Sequence, residues 1–200
     1  MQEETSSQDL KDRLALIESM ITEGRRKTES WGWTFLLWGV AYYVAILWST
    51  WGHNSWAWPI TMASAAIVTV VLVTLRASHQ PDTTHGRASA SVWIALGISM
   101  FVLFLALGMT GRLTDARVFI AISSAMLGMA NGTSALVLRW KVQFGCAVIW
   151  WACAVAACFT SESQAEIVFL IAIFFCQIAF GIYGMVREGR AKARRGAVHA

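Results

Sequence analysis

Three sets of residues in this chain have side chains suited to chemistry. They are His79, Asp82 and His85 at three-residue intervals; the thiols Cys146, Cys153, Cys158 and Cys176; and the neutral polar and aromatic groups Trp38, Tyr42, Asn131, Trp150 and Gln177. Two imidazoles and a carboxylate could converge on a metal ion or titrate near neutral pH. Pro81 and Gly86, however, mark "RASHQPDTTHGR" as a loop, and no third strong ligand stands nearby. The expectation is a solvated connection with no metal assigned. None of the cysteines belongs to a CxxC pair, so they read as small apolar helix residues, with a Cys153 and Cys176 redox pair as the lesser alternative.

Catalytic signatures do not appear. There is no HExxH, no GxSxG and no Walker-type glycine loop, and Gly97-Ile98-Ser99-Met100 departs from the hydrolase pattern at its last position. The apolar stretches hold no carboxylate, lysine or histidine, which a coupled pump would need inside the bilayer. All four histidines fall outside those stretches, which also argues against a haem held between two of them. The expectation is a protein without a catalytic centre or cofactor.

The third set depends on the elements that carry it. Hydrophobic residues make up 56% of the 200 positions and charged residues 14%, with a mean hydropathy of +0.53. That composition lies outside the soluble class. No Asp, Glu, Lys or Arg occurs in residues 30–75, 88–111, 118–138, 142–161 or 167–186. A membrane-spanning helix needs roughly 20 apolar residues. The first window holds two such lengths and breaks at Gly52-His53-Asn54-Ser55. The predicted fold is therefore all-α, a polytopic membrane protein with six transmembrane helices, over about 31–51, 57–75, 90–109, 117–138, 142–159 and 167–186. Barrel strands would alternate apolar and polar over about ten residues, and these runs do not.

This divides the chain into an N-terminal segment (1–29), a membrane domain (30–186) and a basic tail (187–200). With the N-terminus inside, fourteen of the sixteen Lys and Arg fall on the cytoplasmic side, and only Arg112 and Arg117 lie outside. The positive-inside rule then places both termini in the cytoplasm, with a bacterial plasma membrane as the expected location. The net charge of +4 reflects this topology and gives no reason to expect nucleic acid. Seven acidic residues in the first 29 are unlike the start of a secretory signal.

Within 1–29, Leu10, Leu14, Ile17, Ile21 and Gly24 recur on one helical face. They predict an amphipathic cytoplasmic helix over about 8–24, with Ser6 and Asp9 resembling a capping box. It would rest on the protein's own loops, on the membrane surface or on a partner helix. Five basic residues in the tail, Arg187, Arg190, Lys192, Arg194 and Arg195, would anchor the topology and attract anionic lipid. Membrane lipids are thus expected partners, and a protein partner or a homo-oligomer is possible. Gly128 and Gly132 form a GxxxG pair suited to close helix approach, within the monomer or across a dimer.

Seven of the eleven tryptophans stand between residues 30 and 59. Trp31 and Trp33 at one end of the first span, and Trp48, Trp51, Trp56 and Trp58 at the other, predict an aromatic belt at head-group level. Trp38, Tyr42 and Tyr43 fall mid-span, at the depth of Asn131, Trp150, Trp151 and Gln177. Each of these polar groups needs a partner away from water. They predict either an interhelical hydrogen-bond layer or a pocket for an uncharged hydrophobic ligand built from Trp38, Tyr42, Asn131, Trp150 and Gln177. The functional expectation is a non-enzymatic membrane protein that binds a protein partner or a hydrophobic ligand, in signalling or membrane adaptation. The alternative is a passive channel or facilitator for a small neutral solute.

Overall fold

The computed structural model describes residues 10–20, 22, 31–53, 56–77, 84–112 and 115–196. Among them there is no strand, and six helices are long and apolar enough to cross a membrane. The protein is an all-α, multi-pass membrane bundle. Its helices are α1 (Gly32–Gly52), α2 (Ala57–Ala77), α3 (Thr84–Met109), α4 (Ala116–Val137), α5 (Lys141–Phe159), α6 (Glu162–Ile173) and α7 (Phe180–Gly196). A π-helical turn, Phe174–Ala179, joins α6 to α7 in one continuous rod. Residues 10–20 are also helical, with Leu10, Leu14 and Ile17 exposed. His79, Asp82 and the side chain of His85 lie outside the described residues, as do Ser6, Asp9, Ile21 and Gly24.

Three boundaries differ from the sequence reading. Helix α3 begins at Thr84, inside the expected loop; Pro81 precedes the helix and so removes none of its hydrogen bonds. The last rod begins at Glu162, five residues before its expected start. Ser161 caps it in a capping box with Gln164, whose side-chain oxygen accepts from the Ser161 N–H at 3.2 Å. The rod also runs on to Gly196, because Arg, Lys, Ala and Glu in the tail are strong helix formers.

Lipid supplies no hydrophobic drive between helices, so close packing must hold them together. The longest helix contact is the α4/α5 hairpin, closed by a Schellman turn in which the Trp140 N–H donates to the Ala135 carbonyl at 2.9 Å. Arg139 holds the left-handed position of that turn, at φ 47°, where glycine is usual. Helix α1 packs on the far end of the rod at a pair of glycines. A Cβ on Gly181 would come within 2.7 Å of the Gly32 carbonyl oxygen. Gly128 and Gly132 receive the indole of Trp151 rather than a second backbone: a Cβ on Gly128 would run into that ring. The GxxxG face therefore meets α5 of the same chain.

Helices α2 and α3 are peripheral. Only 6% of each apolar window is buried, against 56% for α4. Helix α2 leans on α1 and α3 on α4, with little contact between α2 and α3. A gap is left between them.

Candidate functional site

The gap between α2 and α3 opens into a cavity of about 300 Å³. One face of α1 forms its back wall, with Trp31, Thr34, Phe35, Trp38 and Tyr42 at helical spacing. Thr69 on α2 and Ser89, Trp93 and Met100 on α3 form the sides, and Leu127 and Gln177 close the floor. The mouth is made by Ala66 and Val70 of α2 and Ile94 and Gly97 of α3, all exposed on the bundle surface. Among the described residues, no charged side chain lines the space.

Two chains of aromatic contacts bracket the cavity. Toward the Trp31 end, Phe35 meets Trp93 and Phe180 edge-on, each at 5.0 Å between ring centroids, and Phe180 continues to Trp140 at 5.2 Å. Toward the Trp51 end, Tyr42 meets Trp58 and Phe169, each at 6.1 Å, and Phe169 continues to Trp150 at 5.8 Å. Edge-to-face contacts of this kind favour fixed ring orientations. Trp58 thus packs inward against Tyr42 and Phe119, and Trp31 lines the cavity, so neither serves only as an interfacial anchor. Trp48, Trp51 and Trp56 are exposed, as the belt reading requires.

The polar groups of the wall fall into two kinds. Trp38 Nε1 donates to Thr69 Oγ1 at 3.2 Å, and Thr69 Oγ1 donates to the Ala65 carbonyl at 2.7 Å, which ties α2 to α1. By contrast, Thr34 Oγ1 is buried without a hydrogen-bond partner. Tyr42, Ser89 and Gln177, all buried, bring two more hydroxyls and an amide to the same cavity. A polar group in an apolar interior without a partner is costly, so the Thr34 hydroxyl on this cavity calls for an explanation.

The π-turn sets the position of Gln177. Such turns widen a helix locally and recur at functional sites. Gly39 allows α1 to sit against it, since a Cβ there would lie 2.9 Å from the Gln177 Cβ.

Of the five residues singled out from sequence, Trp38, Tyr42 and Gln177 come together at the cavity. Asn131 and Trp150 do not line it. They are fully buried between α4, α5 and the rod, where Asn131 Nδ2 donates to the Leu127 carbonyl of its own helix at 2.9 Å. The Asn131 Oδ1 and the Trp150 Nε1 have no partner. The shared depth is therefore two environments rather than one layer. Tyr43 leaves it altogether, its hydroxyl donating to the Leu170 carbonyl at 2.8 Å. Thr34, Ser89 and Trp93 were not anticipated. The i, i+4 spacing of Ser89 and Trp93, matching Thr34 and Trp38, is the sequence signal that pairs them.

All four cysteines are free, and Cys176 Sγ lies 3.5 Å from the Cys146 carbonyl. The described residues contain no group of three or more metal-ligating side chains.

Comparison with protein-family models, with curated proteins and with solved structures finds no match for this chain. The functional reading rests on the site.

Proposed function

We propose that this is a non-enzymatic membrane protein that holds an uncharged hydrophobic molecule in the cleft between α1, α2 and α3. The observation that carries the reading is one otherwise apolar cavity lined by the polar side chains of Thr34, Tyr42, Ser89 and Gln177, with the Thr34 hydroxyl buried and unpartnered. Ligand sites are mainly apolar, with a few convergent polar groups that fix orientation, and this cleft has that composition. The distribution of Lys and Arg supports a topology with both termini in the cytoplasm, and the composition suits a bacterial plasma membrane. The basic end of α7 would face anionic lipid. The exposed apolar face of residues 10–20 would lie on that same surface or against a protein partner.

Native mass spectrometry of the protein released gently from its own membranes tests this reading, comparing wild type with Trp38→Ala and Gln177→Ala. A defined non-protein mass retained by wild type and lost from folded variants is expected. The same loosely distributed lipid adducts in all three would overturn it.

One observation favours the alternative, passive passage of a small neutral solute. Ser123, Asn131, Ser134 and Gln143 are fully buried between α4 and α5 with unpartnered polar atoms. Saturable solute flux into proteoliposomes, lost in Asn131→Leu and unchanged in Gln177→Leu, would favour it over the cleft.

A further inference from the structure

The four polar groups of the cleft define what their occupant must look like. The mouth is formed by exposed apolar residues, Ala66, Val70, Ile94 and Gly97, so the molecule enters sideways from the hydrocarbon between α2 and α3. Among the described residues no charge lines the cleft, which suits a molecule that is neutral in the bound state. Phe35, Trp38, Tyr42 and Trp93 offer ring faces and edges, which suit a flat ring more than a flexible chain.

The polar groups are also graded along the cleft. Thr34 and Ser89 lie toward the Trp31 end, Tyr42 toward the other, and Gln177 beside Gly39 between them. Eight residues separate Thr34 from Tyr42, an axial rise of about 12 Å. The Tyr42 side chain, like others on a helix, leans back toward the N-terminal end, so an occupant that reaches both hydroxyls is of ring size. A six-membered ring with oxygens at opposite corners offers one acceptor to each end. Every one of the four groups can donate, three through a hydroxyl and Gln177 through its amide nitrogen. A ring with two acceptors and no donor would satisfy them without leaving a donor of its own unpaired. The cavity of about 300 Å³ holds roughly ten water-sized portions of matter. It would enclose a substituted ring and leave a long tail in the lipid.

We infer that the cleft is a binding site for the head group of a membrane-soluble para-quinone, with one carbonyl toward Thr34 and Ser89 and the other toward Tyr42 and Gln177. This inference rests on the ligand-binding reading above and names its ligand class. It involves binding only, with no electron transfer.

The test uses the whole chain in nanodiscs of uncharged phosphatidylcholine, titrated by calorimetry with two probes, a decyl para-benzoquinone and decylbenzene. Saturable quinone binding is expected, with Kd raised about tenfold or more in Tyr42→Phe and in the double variant Thr34→Val with Ser89→Ala. Decylbenzene should bind weakly and respond to none of these changes. Each substitution removes only hydroxyls in shape-conserving fashion, and an unchanged thermal midpoint verifies folding. If decylbenzene binds as tightly as the quinone, or the variants leave quinone affinity unchanged, the quinone assignment is overturned while a generic hydrophobic site stands. If neither probe binds, the assignment is overturned; loss of any defined retained mass from the native extract would overturn the ligand-binding reading with it.

Discussion

Trp38 and Thr69 are joined across the α1/α2 interface by a hydrogen bond of 3.2 Å from indole to hydroxyl, on a cleft where the Thr34 hydroxyl is buried and unpaired. The bond adds to the α1/α2 packing that sets one wall of the cleft, on a helix otherwise little buried. Trp38→Phe should loosen α2 at a cost of about 0.6 kcal/mol, the average for hydrogen bonds within one membrane protein. Thr69→Val should cost about the same. The double variant should cost no more than either alone, which thermal unfolding of the three in one detergent would check.

Gly181→Ala should lower stability by about 1 to 3 kcal/mol, the usual cost of overpacking, because the new methyl meets the Gly32 carbonyl and the Leu36 backbone nitrogen, at 2.7 and 2.8 Å. Gly145→Ala is the matched control. Nothing lies within 4 Å of its Cβ, so it should be neutral or mildly stabilising through helix propensity. Equal thermal midpoints for the two variants would refute the close α1/α7 crossing.

Trp151 and Gly128 should be coupled. Gly128→Ala displaces the indole and destabilises, whereas in a Trp151→Ala background the three atoms nearest the new methyl are gone. A double-mutant cycle should return an interaction of about 1 kcal/mol, and a value near zero would mean that the ring does not rest on the glycine.

Gln143 offers a test with the opposite sign. It is fully buried and neither its amide nitrogen nor its oxygen has a partner. Gln143→Met keeps the volume and removes the unpaired groups, so stability should rise by about 1 kcal/mol or more. A fall would show that the amide is satisfied by an internal water or solute, and would strengthen the solute-passage reading.

Asp115 caps α4 by accepting from the Arg117 N–H at 2.8 Å, and its side chain pairs with the Arg117 guanidinium at 2.7 Å. The hydrogen bond from the Arg117 side chain is the main cause holding its carboxyl below the usual range. A lowered folded-state value means the stabilisation is present above the ordinary carboxylate pKa and disappears as pH falls through the folded value. Asp115→Asn should remove that acid-side component. Unchanged thermal midpoints between pH 6 and pH 3 in wild type would show that the cap contributes nothing to folding.

The membrane fold was legible because long charge-free runs have a single physical solution in lipid, a helix with its backbone bonds satisfied internally. The S-x-x-Q pattern at Ser161 and Gln164 carries the early start of α6, but the sequence reading followed the apolar run and placed it later. The π-turn had no such signal, since Phe174–Ala179 is as apolar as the residues around it.

The site was legible in part. Phe35, Trp38 and Tyr42 share a helical face whatever surrounds them, and that face is the back wall of the cleft. Depth alone could not say which way Asn131 and Trp150 point, and both turned into the α4/α5 core because the α4/α5 contact is the most extensive in the bundle. Ser89 and Thr34 became site residues only when α3 stood away from α2, a tertiary outcome invisible to periodicity.

The π-turn also acts as a phase adjuster for the whole rod. Each residue of an α-helix advances about 100° around its axis. Were the wide turn at Phe174–Ala179 to tighten to plain α-helix with all its residues kept, everything after it would swing on by about that angle. Gly181 would rotate away from Gly32 and Phe180 away from Phe35, while Phe169 stayed seated on Trp150. One extra residue therefore lets the two halves of the rod dock against different neighbours, much as a shim lets two misaligned parts share one axle.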